Sequence, residues 1–247
     1  MILGFAIVAP FALILLWPYS PVAGIGVLAL SHTLLLYPTL RPNVQWLGPV
    51  VTRFATDRKA VWLTIDDGPT EDTPAVLDLF DRHGVQATFF VKGMLAEREP
   101  QLVRMILDRG HSIANHSQTH PSASFWCLLP GRVAHEIDTC SDALAAVTGS
   151  MPRWFRAPVG HKNPAVHPAL ERRGMRLIGW TARGFDAVVS DAAQIVARIL
   201  PKIEPGAIVV LHQGREHSLR VLEHVIVALK ERGYELVIPD DAQLRAS

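Results

Sequence analysis

Asp, Glu, Lys and Arg are all missing from the first 40 of the 247 residues. A water-facing domain cannot be built from such a stretch, so the N-terminus must be covered by something apolar. Cysteine is almost absent: Cys127 and Cys140 are the only two. They are too few for a disulfide framework and read as unpaired thiols, which leaves the redox compartment open. An excess of either charge is missing too. With 24 Lys and Arg against 23 Asp and Glu, the net charge is +1, which gives no electrostatic footprint for nucleic acid. There is no internal repeat and no low-complexity tract.

What fills the charge-free start is "ILGFAIVAPFALILLW", a break "PYSP", and "VAGIGVLALSHTLLLYPTL". A signal peptide would begin with basic residues and carry one apolar run before a cleavage site. Two runs around a proline-rich break instead predict a tight hairpin of two short membrane segments over 1–40. One kinked span, or a hairpin lying in one leaflet, are the alternatives. Trp17, Tyr19 and Tyr37 sit where interfacial aromatics belong. Arg41, Arg53, Arg58 and Lys59 follow the second run and favour the cytoplasmic side, although a single span would reverse that. Residues 41–57 read as a short linker, and 58–247 as the soluble domain.

From Lys59 onward strand and helix patterns alternate. "AVWLTI", "VQATFFV", "HSIAN", "RWFRAP", "MRLIGW", "GAIVVLH" and "YELVI" read as strands. Between them lie amphipathic helices, the first with Thr73 as N-cap, Pro74 in its first turn and Gly84 as its stop. Another is capped by Ser190. Such alternation predicts a parallel α/β barrel or open sheet, in which chemistry gathers where strands end. Polar residues do cluster there: Asp66 and Asp67, then Asn115, His116 and His120, then Arg156, Asp186 and His212.

"HSQTH" spaces His116 and His120 four apart, which on a helical turn puts both on one face, able to hold one ion together with a carboxylate. The bland alternative is a pair of surface histidines. In "TIDDG" two adjacent acids repel each other unless a metal offsets one charge and leaves the other free as a base. Successive strand residues point to opposite faces, so the pair can cooperate only where the strand ends and turns into Gly68-Pro69. Arg156, on a buried strand, wants an anion, and Asp186 is a candidate partner. The alternative is a purely structural ion pair. His212 could protonate a leaving group, or be an ordinary core histidine.

"TIDDG", "HSQTH", "RAPVG", the "FDA" after Trp180, and "VLH" together resemble the polysaccharide deacetylase family, carbohydrate esterase family 4, over about residues 58–240. The resemblance implies a distorted (β/α) barrel, seven-stranded in its frequent form, and metal-dependent hydrolysis of N-acetyl groups on amino sugars. It implies Asp66 as catalytic base and Asp67, His116 and His120 as metal ligands. Arg156 would orient Asp66, Asp186 would partner Arg156, His212 would be the general acid, and the backbone N–H of Val159 would face the oxyanion. Zn²⁺ is the first choice of metal, with Co²⁺, Mn²⁺ or another first-row ion open. Val159 and Ala187 stand where the family carries aromatics that line the substrate groove; Trp154, Phe155, His161 and Trp126 are candidates to rebuild it, with the "SQTHPSASFWCLLPGR" segment as a wall.

The resulting expectation is a deacetylase anchored in a bacterial-type cytoplasmic (inner) membrane, its side open. Its substrate would be an N-acetylated polysaccharide, oligosaccharide or lipid-linked glycan; no nucleic-acid partner is expected, and no protein partner is inferred. An O-acetyl esterase, a non-catalytic sugar-binding module and a purely structural membrane protein are the alternatives.

Overall fold

A computed structural model describes residues 2–246. The two apolar runs become helices α1 (Ile2–Leu16) and α2 (Pro21–Leu40). Ser20 caps α2 by accepting from Ala23 N, and Pro21 opens its first turn. The four-residue break turns the chain back on itself. Gly24 sets the crossing: a Cβ there would meet Leu13 Cδ1 at 2.8 Å. The expected pair of runs is therefore two packed helices, not one kinked rod. By length and composition α2 is apolar enough to cross a membrane, and α1 is shorter. Large apolar side chains such as Phe11, Leu15 and Val22 face outward.

The rest is one α/β unit. Its strands are β1 (Val51–Phe54), β2 (Ala60–Gly68), β3 (Ala87–Val91), β4 (Ser112–Asn115), β5 (Trp154–Phe155), β6 (Arg176–Leu177), β7 (Ala182–Arg183), β8 (Ile208–His212), β9 (Glu235–Leu236) and β10 (Leu244–Ala246). Its helices are α3 (Thr73–His83), α4 (Gly93–Arg98), α5 (Pro100–Asp108), α6 (Pro130–Thr148), α7 (Val166–Glu171), α8 (Ala192–Ile199) and α9 (Ser218–Glu231). Seven parallel strands follow the order β6-β5-β4-β3-β2-β8-β7, curled into a half-barrel, and β9 adds to the start of β2.

Strand alternation explains the two main layers of the core. Val61, Leu63 and Ile65 of β2 point out and pack beneath Phe80, Val225 and Leu229 of the amphipathic helices. Trp62 points into the curl with Phe90, Trp154 and Trp180. Thr64 and Asp66 share that inward set by the same period of two. The inner face is thus apolar at the bottom and turns polar at the strand ends.

Four expectations need correction. Helix α3 begins at Thr73 itself, with Asp72 at the N-cap position, so Thr73 is not its cap. "MRLIGW" is not one strand. The chain leaves the sheet after β6, crosses at Gly179–Thr181, and re-enters as β7 on the opposite edge. A Cβ on Gly179 would meet Asn43 Oδ1 at 2.6 Å, so the crossing has no room for a side chain. The stretch 41–57 is not a free tether. It contains β1, which pairs with β10 and is bridged to Ile178 and Ala207, lying across the open side of the curl. Finally, α8 is capped by Asp191, whose carboxylate accepts from the Ala193 and Gln194 amides, not by Ser190.

The junction between α2 and the half-barrel is closed by a buried lysine. Lys162 Nζ donates to the carbonyls of Arg41 (2.7 Å) and Pro42 (2.9 Å), and its own amide donates to Thr39 O. Burial pushes the ammonium down to about 8, so it is charged at neutral pH and its donors hold the chain leaving α2. Lys162→Met leaves the half-buried Pro42 carbonyl without the lysine donor and Arg41 O with the Val44 amide alone, at a cost of about 1–3 kcal/mol. Hydrogen exchange at the amides of residues 44, 48 and 162 should then rise about tenfold or more, while those of β2 and β8 keep theirs. Unchanged exchange at all three would mean that something else holds the junction.

Candidate active site

Two adjacent acids reach the same cleft because β2 is bulged between them. Asp66 pairs in register with Phe90 and Gly68 with Val91, so Asp67 is the extra residue. Its φ of 78° is left-handed and swings its side chain round to the mouth of the curl. The strand does not end at the acids, as the sequence suggested. It runs on to Gly68, and the bulge does the turning.

The two carboxylates then meet different surroundings. Asp66, 3% exposed, accepts from Arg156 Nη1 at 2.6 Å through Oδ1. Arg156 is itself 1% exposed and gives three further donors to Thr64 Oγ1 and the carbonyls of Ile178 and Gly179, with its guanidinium 4.0 Å from the Phe90 ring. Asp66 Oδ2 stays free of the arginine, 3.7 Å from His116 Nε2. Asp67 instead faces His116 and His120, whose Nε2 atoms lie 3.9 and 3.6 Å from its Oδ1. Lys92 Nζ is 2.9 Å from that oxygen.

Burial works against a charge on Asp67, but His116, Lys92 and His120 outweigh it and hold the carboxyl well below the ordinary range. Burial pushes His116 down, and burial plus the charge of His116 pushes His120 down to about 3. Both imidazoles are therefore neutral at pH 7, with a lone pair to offer. His116 Nδ1 donates to Arg156 O at 2.9 Å, which fixes its tautomer and leaves Nε2 as the free donor atom. The ligand atoms of Asp67, His116 and His120 all lie within 4.8 Å of one another. Ligands on a tetrahedral Zn²⁺ sit about 3.3–3.4 Å apart, so this donor set fits a small divalent ion with little movement.

The spacing of the histidines works for a different reason from the one expected. Residues 116–120 are a loop, not a helical turn, with Ser117 (φ 66°) and His120 (φ 54°) left-handed. Asn115 holds its start by accepting from Ser117 N and donating to Ile137 O and Ser141 Oγ. Buried Glu136 of α6 holds its middle, accepting from Thr119 N and Thr119 Oγ1 while its carbonyl accepts from Gln118 N. Sequence reasoning missed Glu136, since an acid one helix downstream carries no local motif.

Asp66 and His212 are register partners on the neighbouring strands β2 and β8. Asp186 does not pair with Arg156. It follows β7, the neighbour of β8, and accepts from His212 N at 2.6 Å and His212 Nδ1 at 3.1 Å. The crossing from β6 to β7 accounts for this, because it takes Asp186 from the edge of the sheet where β5 and β6 lie to the opposite edge, beside β8. Burial pushes His212 down, but the hydrogen bond and charge of Asp186, backed by Asp66 and Asp67, outweigh it and leave the imidazole raised.

Asp66, Asp67, His116, His120 and His212 share a cleft of about 360 Å³ with Val159, Trp180, Arg183, Phe185 and Ala187. The residues expected to rebuild its groove do not line it: Trp154 and Phe155 are buried, and Trp126 and His161 lie outside it. Phe185, 42% exposed, and Trp180 are the rings that do. Among the described residues, the five non-glycine positions with left-handed φ are Asp67, Ser117, His120, Val159 and Phe185, every one at or beside this cleft. Strain of that kind collects where a site requires it.

The sequence profile of the polysaccharide deacetylase family matches residues 54–178. A chitooligosaccharide deacetylase of Bradyrhizobium sp. (strain ANU 289) is 36% identical over 194 residues, covering 72% of this chain and 88% of the relative. The peptidoglycan-N-acetylglucosamine deacetylase PgdA of Listeria monocytogenes is 34% identical over 188 residues, and there the match spans 76% of this chain but only 39% of the relative. Among solved structures, a Bacillus anthracis pseudoenzyme of carbohydrate esterase family 4, in a mutant form with restored enzymatic activity, superposes with a TM-score of 0.68 at 31% identity. It covers 75% of this chain and 67% of its own. Fold likeness extends to an inactive relative, so activity has to be argued from the side chains.

Titrating metal-stripped protein with Zn²⁺ should find one tight site per chain. His116→Ala, removing one of three ligands, should weaken it about 100-fold or more. Full stoichiometry at unchanged affinity in that variant would remove His116 from the ligand set.

Proposed function

We propose, from the premise that this chain belongs to the polysaccharide deacetylase family, that it hydrolyses the N-acetyl group of an amino sugar in a glycan to acetate and a free amine. The observation that carries the reading is the split of the acid pair. Asp66 is held by a buried arginine with one oxygen left over, while Asp67 faces two neutral imidazoles. A sugar-binding module, the reading that the likeness to a pseudoenzyme would favour, has no use for such a division.

Asp67, His116 and His120 would hold a divalent ion, Zn²⁺ before Co²⁺ or Mn²⁺. When bound, it supplies Lewis acidity and lowers the pKa of water from 15.7 toward roughly 7. The remaining steps belong to the chain itself. Asp66 Oδ2 takes the proton of the water that attacks the acetamide carbonyl. Arg156 keeps Asp66 pointed, and its guanidinium cannot give up a proton at any working pH. His212, with Nδ1–H on Asp186, keeps its other ring nitrogen for the leaving amine and protonates it as the C–N bond breaks. Asp186 serves His212, not Arg156, and its charge keeps the imidazole protonated to higher pH. The hairpin of α1 and α2 would anchor the site at a membrane.

Acetate release from N-acetylated oligosaccharides by metal-loaded protein tests the reading. Asp66→Asn should keep the metal and lose turnover by about 10²–10⁴-fold; unchanged turnover would remove Asp66 as base. Release from O-acetylated sugars alone would turn the proposal to an esterase. Because Asp186 raises His212, activity that needs the protonated acid falls as pH rises through the raised value. Asp186→Asn should therefore move the basic limb of the kcat profile to lower pH. A limb that stays put would separate His212 from the leaving-group step.

A further inference from the structure

Arg183 has no role in the mechanism above, yet its side chain lines the same cleft. Its guanidinium lies 4.0 Å from the Phe185 ring and 5.3 Å from that of Trp180. It is half-buried, and among the described residues it donates no hydrogen bond and forms no ion pair. Asp66 and Asp186 are near enough for Arg183 to feel their charge, but Asp66 is taken by Arg156 and Asp186 by His212. A forked donor seated beside two rings, with its guanidinium N–H groups unspent, matches an anion with several oxygens better than a sugar hydroxyl.

The wall that carries Arg183 is built on the exit of α2. Asn43 Nδ2 donates to Trp180 O at 2.7 Å. Pro42 packs against Gly160 beside Trp180, so closely that a Cβ on Gly160 would meet Pro42 Cγ at 2.7 Å and Trp180 Cη2 at 2.4 Å. The Tyr37 and Trp46 rings meet at 5.1 Å, with the Arg41 guanidinium 5.9 Å from Tyr37. Aromatic rings and a basic residue at the end of an apolar helix mark the level of the lipid headgroups. The cleft is therefore fixed at that level, not carried off on a tether.

We infer that the substrate is an amino sugar joined to a membrane lipid through a phosphate, and that Arg183 binds the phosphate. The inference rests on the proposed hydrolase reading for the reaction, but its own content is the anion and the lipid. Arg183 is then a specificity residue, and the sugar lies between it and the acid pair. The ring face that the family would present at Val159 and Ala187 is replaced by a cation seated on Phe185.

Full-length protein in detergent micelles tests this with one sugar in three forms: N-acetylglucosamine as its methyl glycoside, as its 1-phosphate, and linked through phosphate to a polyprenol. The wild type should show kcat/KM at least tenfold higher on the 1-phosphate than on the methyl glycoside, and higher again on the lipid-linked form. Arg183→Leu should bring the ratio of phosphate to methyl glycoside close to one, and Arg183→Lys should keep part of it. Equal kcat/KM on the two soluble forms overturns the inference. So does an Arg183→Leu variant that slows both alike with the ratio intact, since Arg183 would then only support the charge of its acidic neighbours. A lipid-linked form no better than the 1-phosphate overturns the lipid. If none of the three is hydrolysed, the hydrolase reading fails, and calorimetric titration with the 1-phosphate decides the anion site separately. Binding at least tenfold tighter to wild type than to Arg183→Leu sustains it, and equal binding overturns it.

Discussion

Arg156 joins the two halves of the cleft. Its guanidinium, sealed from solvent, is bonded to Asp66, to Thr64 and to two backbone carbonyls, and its own carbonyl accepts from the ring of His116. Removing one partner of such a buried pair costs about 3–5 kcal/mol, because the charge left behind has no water to turn to. The arginine therefore does more than balance a charge. It holds one oxygen of Asp66 to itself and fixes the His116 ring, whose free Nε2 lies 3.7 Å from the other Asp66 oxygen and 3.9 Å from Asp67 Oδ1. Two carboxylates adjacent in sequence acquire unlike environments from that one side chain and from the bulge that rotates Asp67.

The scaffold makes this arrangement durable. Asp66 and His212 are register partners on two central parallel strands, where the backbone has least freedom. Asp67, Ser117 and His120 occupy left-handed conformations that cost of order 1–3 kcal/mol each outside glycine. Asn115 and Glu136 hold the loop that bears two of them. Backbone strain is thus concentrated at the rim, while Trp62, Phe90, Trp154 and Trp180 fill the curl below. On the proposed reading, a rim held this firmly needs little reorganisation as the proton moves.

Much of this was legible in the sequence because it depends on local order. Alternating strand and helix patterns predict the parallel sheet, and polar residues at strand ends predict where the site lies. The five motifs "TIDDG", "HSQTH", "RAPVG", "FDA" and "VLH" predict the family. What was not legible depends on pairing across the sheet. The bulge at Asp67 appears only when β2 is laid against β3. The jump from β6 to β7 was hidden in one apolar run, and with it the pairing of Asp186 with His212. Strand β1 could not be told from a linker without β10 beside it. Glu136, Lys162 and Arg183 carry no motif; a charged residue sealed beneath or beside a site becomes visible only when its neighbours are known. The aromatic candidates Trp154 and Phe155 failed for the same reason, since inward and outward positions on so short a strand cannot be told apart from composition.

The hairpin and the cleft are joined by direct hydrogen bonds, because the chain leaving α2 is held by Lys162 and in turn holds Trp180. The central claim remains the division between the acids, and an anomalous-difference map of metal-loaded crystals, collected at the zinc edge, tests it most directly. The account predicts one peak bonded to Asp67, His116 and His120 at about 2.0–2.2 Å, with Asp66 outside the coordination sphere and still on Arg156. A peak bonded to both carboxylates, or to Asp66 in place of Asp67, would contradict it.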